Sequence, residues 1–153
     1  MRIVIQRVSE ASVSIGGAVH SSIGRGLMIL VGICDEDTDD DIEYLCQKVA
    51  KLRIFDDSEG VMNLPVTEVE DSGILVVSQF TLMASTRKGN RPSYIHASKP
   101  DFAVPVYERF VARLREVTCL PVPTGVFGAD MQVALVNDGP VTIMMDSHLR
   151  DTF

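Results

Sequence analysis

The chain has 153 residues, of which 46% are hydrophobic and 23% charged, with no Trp and a formal net charge of −7 at pH 7. That length and apolar content suit one domain with a complete core built from Val, Ile, Leu and Met, and exclude a disordered chain. The longest apolar stretch, Leu27 to Cys34, is broken by Gly32 and falls far short of the roughly 20 residues that a membrane helix needs.

In chain order, Arg2 to Val8 alternates as a strand does, and Ala11 to Ile15 alternates again. Arg2 and Arg7 bracket too few apolar residues for a signal peptide, so a cytoplasmic protein is expected. Gly16-Gly17 marks a turn, and Gly26 to Ile33 reads as a buried strand. Thr38 or Asp39 can cap a helix whose apolar positions Ile42, Leu45, Val49 and Leu52 recur at helical spacing, with acids at its positive end. Asp56 to Gly60 is a turn, Ile74 to Phe80 a second buried strand, and a polar loop runs on to about Ser98. Pro100 and Asp101 open a second helix, with Phe102, Val106, Phe110, Val111 and Leu114 on its apolar side, ending before Pro121. Met131 to Val136 and Val141 to Met145 are two apolar runs divided by Asn137-Asp138-Gly139-Pro140, a turn by composition. Strands with two helices and no repeat give an α+β class, a single domain over residues 1–153 with two β layers covered by two helices.

The charge is unevenly placed. Seven acids lie between Asp35 and Glu43, and the rest of the chain holds 14 acids against 14 Lys and Arg. Ala84 to Pro100 carries Arg87, Lys88, Arg91, His96 and Lys99 without one acid, a segment able to face phosphate or equally a solvated loop. Familiar chemistry is missing at the level of motif. The acidic run has Asp40 and Cys46 where a calcium loop needs Gly and Glu. Gly24-Arg25-Gly26 lacks the third glycine of a dinucleotide fingerprint. His20, His96 and His148 stand apart from patterned carboxylates, and Ser78 is not in a nucleophile elbow, so neither a metal site nor a serine triad is expected. Cys34, Cys46 and Cys119 are odd in number and widely spaced, which reads as buried reduced thiols. No cofactor is implied.

Three segments together carry a resemblance: Gln6-Arg7-Val8, Ser78-Gln79-Phe80-Thr81-Leu82 and Asn137-Asp138-Gly139-Pro140-Val141-Thr142. Arg53-Ile54-Phe55, Met62-Asn63-Leu64, Thr86-Arg87-Lys88-Gly89, Arg91-Pro92-Ser93, Tyr107 to Phe110 and Gly128 to Val133 extend it. From Met1 to about Asp146 the chain resembles the D-aminoacyl-tRNA deacylases, while Ser147 to Phe153 lies beyond the likeness. The resemblance implies a homodimer, with sites at the subunit interface, that hydrolyses the ester of D-aminoacyl-tRNA, and of glycyl-tRNA mischarged on tRNA-Ala. By the same likeness Ser78, Gln79, Phe80 and Thr81 line the pocket for the aminoacyl-tRNA 3′ end, where backbone N–H groups can hold the ester carbonyl. Thr81 has no visible base to activate it, and the family uses the tRNA's own 2′-hydroxyl.

Gly139-Pro140 is then the chirality device, held cis and inserted into the partner's pocket, where main-chain carbonyls oppose an L side chain. Arg7 braces that loop with its fork of donors, flanked by Asn137, Val141 and Thr142. Phe127 and Met131 frame the terminal adenine, with plain core packing as the competing reading. Two alternatives remain open from sequence: a sister deacylase that clears L-Ala from mischarged tRNA, and a noncatalytic RNA-binding module using the basic loop.

Overall fold

The computed structural model describes all of residues 1–153. Along the chain lie β1 (Arg2–Ile15), β2 (Ala18–Ile23), β3 (Gly26–Gly32), α1 (Asp39–Lys51), β4 (Arg53–Asp56), β5 (Met62–Pro65), β6 (Gly73–Ser78), α2 (Pro100–Thr118) and β7 (Gln132–Asp146). The first is the organiser. Residues 2–8 of β1 pair antiparallel with β3 and residues 11–15 with β2, while β7 runs antiparallel along its opposite edge from end to end. β6 then adds parallel to β3. The result is a five-stranded mixed sheet, with β4 and β5 forming a separate two-stranded hairpin. Instead of two comparable β layers, hydrogen bonding therefore gives one large sheet and a hairpin.

Both helices form where spacing and capping place them. Thr38 caps α1 in a capping box with Asp41, and Ile42, Leu45 and Val49 are buried from its inner face. Leu52 has already left the helix as its C-cap. α2 starts with Pro100 at N1 and buries Val106, Phe110, Val111 and Leu114, whereas Phe102 stays 37% exposed on its outer first turn. These faces close over Ile3, Ile5, Leu27, Ile29, Ile74 and Val76 in one core cluster. Arg113 of α2 donates twice to Glu43 of α1, at 2.6 and 3.0 Å, and Arg109 reaches Asp39 at 3.0 Å.

Two acid-sensitive groups, Glu43 and Asp41, are on this helix pair. Hydrogen bonds from Arg113, then Gln47, hold the Glu43 carboxyl down from 4.5 to about 2. At Asp41 burial pushes upward, but hydrogen bonds from Ser147 and Thr38 outweigh it and bring the group from 3.8 to about 2. Folding thus favours both ionised forms, so their contribution is complete above about 4.5 and lost as pH falls toward 2. Urea midpoints should therefore hold steady down to about pH 4.5 and decline below it. The Arg113→Met variant should show a shallower decline, and an unchanged profile would contradict the role of the pair.

Several expectations are corrected here. The two strand segments expected over residues 2–8 and 11–15 are one strand, continuous through the exposed Ser9 and Glu10. β2 was not expected, because its mostly exposed Ala-Val-His-Ser-Ser-Ile has no apolar alternation. The second buried strand stops at Ser78, since Phe80–Met83 coil into a 3-10 turn. Asn137 to Pro140 does not reverse the chain. β1 pairs with Thr142 at Gln6 and with Asn137 at Val8, so the four residues between are pushed out as a bulge within β7.

Cys119 is exposed at the end of α2, unlike the buried Cys34 and Cys46. His148 is not isolated either: its Nε2 lies 2.7 Å from Asp37 Oδ1 and 3.7 Å from Cys34 Sγ. Burial and the Asp37 charge push the Cys34 thiol up to about 12, so this cluster is a neutral thiol within a hydrogen-bonded set. The tail beyond β7 is docked by Ser147 N–H on the Met1 carbonyl and by Arg150, which binds Asp40 and stacks 4.2 Å over Tyr44.

Candidate active site

A cavity of about 640 Å³ opens at the carboxyl ends of the parallel strands β3 and β6, the usual place for a ligand crevice beside parallel strands. Val31, Ile33, Val77 and Ser78 form its base, Gln79 and Phe80 one wall, and Tyr94, Ala97 to Pro100 and Ala103 the next. Phe127 to Met131 and Val133 complete it. The lining is mainly apolar, and its only charged members are Lys99 and Asp130, the make-up of a small-molecule site with few polar contacts.

Close approach of backbone builds the wall. A Cβ on Gly32 would stand 2.9 Å from Leu82 Cβ and 3.2 Å from the Gln79 carbonyl, so glycine lets the 3-10 turn dock directly on β3. The Gln79 N–H donates to the Val31 carbonyl at 2.7 Å and is therefore not free for a substrate. Phe80 and Thr81 open the turn, so their amides have no acceptor within it. The Thr81 hydroxyl accepts a hydrogen bond from the Gln79 side chain, and Thr81 does not line the cavity. Behind the turn, Arg2 donates to the Leu82 carbonyl at 2.8 Å and to Asp146 at 2.9 and 2.8 Å, tying it to the end of β7.

Residues 122–125 run beside β6, with hydrogen bonds of 3.0 Å from Val76 N–H to Pro123 and from Gly125 N–H to Val76. This path carries Phe127 over the cavity, where it meets Tyr107 edge-on at 5.9 Å. The Tyr107 hydroxyl donates to the Val76 carbonyl at 3.1 Å, and burial lifts its pKa to about 12. Met131 packs into the space left by Gly125, where a Cβ would come within 2.5 Å of its sulfur.

The other expected site residues lie elsewhere. None of Arg7, Asn137, Gly139, Pro140, Val141 and Thr142 lines the cavity of its own chain. They form a second cluster at the bulge of β7. Gly139 has φ +132°, the Gly139–Pro140 bond is cis, and Asp138, Gly139 and Pro140 are all exposed. Asn137 closes the base of the loop, donating to Thr142 Oγ1 at 2.9 Å and accepting from Val141 N–H at 3.1 Å. Beneath it Arg7, 8% exposed, donates to the Asp138 carbonyl at 2.9 Å and to the Ile54 carbonyl at 2.7 Å.

Sequence reasoning missed Tyr94 on the cavity wall. An aromatic inside the acid-free basic segment was the signal that could have found it.

The family model described as D-Tyr-tRNA(Tyr) deacylase matches residues 4–146. The chain belongs to this deacylase family. A D-aminoacyl-tRNA deacylase of Porphyromonas gingivalis is 64% identical over 151 residues, covering 99% of this chain and all of the relative. That of Bacteroides thetaiotaomicron is 60% identical over 152 residues, again covering 99% of this chain and the whole relative. Among solved structures, one titled c-Myc DNA Unwinding Element Binding Protein superposes with TM-score 0.89 at 41% identity, covering 95% of this chain and 98% of the other. A probable eukaryotic D-amino acid tRNA deacylase shares the fold alone, with TM-score 0.79 at 20% identity over 94% of this chain and 97% of the other. No helix of this deacylase-family chain is long and apolar enough to cross a membrane.

Proposed function

We propose that the chain hydrolyses the ester of D-aminoacyl-tRNA, releasing the D-amino acid and tRNA, in the cytoplasm and as a homodimer. The observation that carries this reading is the separation of two clusters within one chain. An apolar-lined cavity has no part of the Gly139-Pro140 loop in its own wall, and the exposed, braced loop lacks a pocket. A second copy supplies each with what it lacks. The outer face of β7 beside the loop supports such pairing, with Val136 and Met144 left 49% and 45% exposed.

In this arrangement the terminal ribose and aminoacyl group enter between Phe80 and Phe127, with Met131 against the base. The ester is an activated acyl donor, so positioning and oxyanion stabilisation suffice. Water adds to the acyl carbon, the acyl C–O bond to the ribose breaks, and the ribose oxygen leaves with a proton. The neighbouring 2′-hydroxyl assists in place of a protein nucleophile. The amide of Phe80, on the cavity wall, receives the developing oxyanion. The partner's loop opposes an L side chain by main chain alone, which also admits glycine and hence glycyl-tRNA mischarged on tRNA-Ala.

Ester loss from D-Tyr-tRNA, L-Tyr-tRNA and L-Ala-tRNA(Thr) tests this. Selective loss of the D ester is expected. Release of L-Ala alone would instead assign the sister activity, and release of nothing would leave a binding module.

A further inference from the structure

The segment that forms one wall of the cavity continues into a second, polar groove. Tyr94 and Ala97 line the cavity, while His96, between them in sequence, lines a groove of about 580 Å³ with Arg2, Arg87, Ser85 and Glu36. Arg2 is already held by Asp146 and the Leu82 carbonyl, which leaves Arg87 as the open cation there, with the His96 imidazole beside it in the lining. Tyr94 therefore stands on the divide between an apolar chamber and a phosphate-compatible channel.

Its ring is held in place and remains partly exposed. Ser85 and Ser93 exchange two backbone hydrogen bonds at 2.8 and 2.9 Å, the Ala97 N–H donates to the Tyr94 carbonyl at 3.0 Å, and the Ser98 N–H to Ile33 at 3.0 Å. Phe80 packs against the ring in a T-shaped pair, 5.1 Å between centroids and 70° between planes, and braces it. Tyr94 is 43% exposed, in a segment from Ala84 to Pro100 that holds no acid. A partly exposed aromatic ring, fixed by its own loop within an acid-free basic segment, is suited to stack a base of single-stranded nucleic acid.

We propose that Tyr94 is the stacking platform for the nucleobase preceding the terminal adenosine, with the intervening phosphate directed toward Arg87 and His96. This rests on the functional reading above and extends it from the acyl end to the strand that carries it. The single-stranded 3′ end would thus be held at two successive nucleotides, the last in the cavity and the one before it on the Tyr94 ring.

Two substrates separate the contribution of the second nucleotide: D-tyrosyl-tRNA, and the D-tyrosyl ester of adenosine, which has none. Tyr94→Ala should lower kcat/KM on the tRNA about tenfold more than on the adenosine ester, mainly through KM, and Tyr94→Phe should recover it. Equal losses on both substrates, or none on either, would overturn the proposal. Calorimetric binding of the uncharged trinucleotide CCA tests the site without turnover. A roughly tenfold weaker affinity for Tyr94→Ala than for the unaltered protein supports the platform, whereas equal affinity overturns it even if no ester is ever cleaved. Failure of the deacylase reading is then visible separately, as loss of hydrolysis with stacking retained.

Discussion

Gly139→Ala should reduce hydrolysis of D-Tyr-tRNA by about 10²-fold, the scale expected when a positioning element moves by about 1 Å, while the protein stays folded. At φ +132° an L side chain is strained, and a Cβ there would lie 2.9 Å from Val141 Cγ2 and 3.0 Å from Arg7 Nη2. Both neighbours belong to the loop's own support, so relieving the clash shifts the segment that faces the partner. The loop is exposed and contributes nothing to the core, so circular dichroism and the urea midpoint should change little. Full activity of this variant would remove the loop from the account.

Arg7→Met should damage both fold and site. The methionine keeps much of the apolar stem but takes away donors from the carbonyls of Ile54 and Asp138. Ile54 is only 6% exposed, and a buried acceptor left unpaired costs about 1–3 kcal/mol. The flanking carboxylates of Asp56 and Asp138, at 3.6 and 3.8 Å, are half exposed and add little. The urea-derived stability should fall by about that amount, with D-ester hydrolysis falling more than tenfold because the loop loses its brace. Arg7→Lys, a single point donor, should regain more stability than activity. Unaltered hydrolysis in Arg7→Met would show that the brace is dispensable.

These two residues also show how far the chain could be read before folding. The helices were legible because Thr38, Pro100 and the apolar spacing around Leu45 and Phe110 are local signals. The bulge was not, because whether Asn-Asp-Gly-Pro turns the chain or bulges from a strand depends on pairing with β1, some 130 residues earlier. β2 escaped notice for a related reason: its polar residues pair with β1 through main chain, without an apolar stripe to announce it. At the site, Ser78, Gln79, Phe80, Phe127 and Met131 were picked out by resemblance and share one cavity. The use of the Gln79 amide by Val31, and the place of Tyr94 on the wall, depend on how β3 and the 85–98 loop meet in space.

The most direct test of the central claim, that each site joins the cavity of one protomer to the loop of the other, mixes two disabled variants. Gly139→Ala keeps an intact cavity, and Ser78→Phe fills the cavity but keeps an intact loop. Coexpressed and purified as the mixed dimer, they should recover D-Tyr-tRNA hydrolysis that neither shows alone, because one of the two sites then has both parts unaltered. A mixed dimer verified by mass that remains as inactive as its parents would contradict the account.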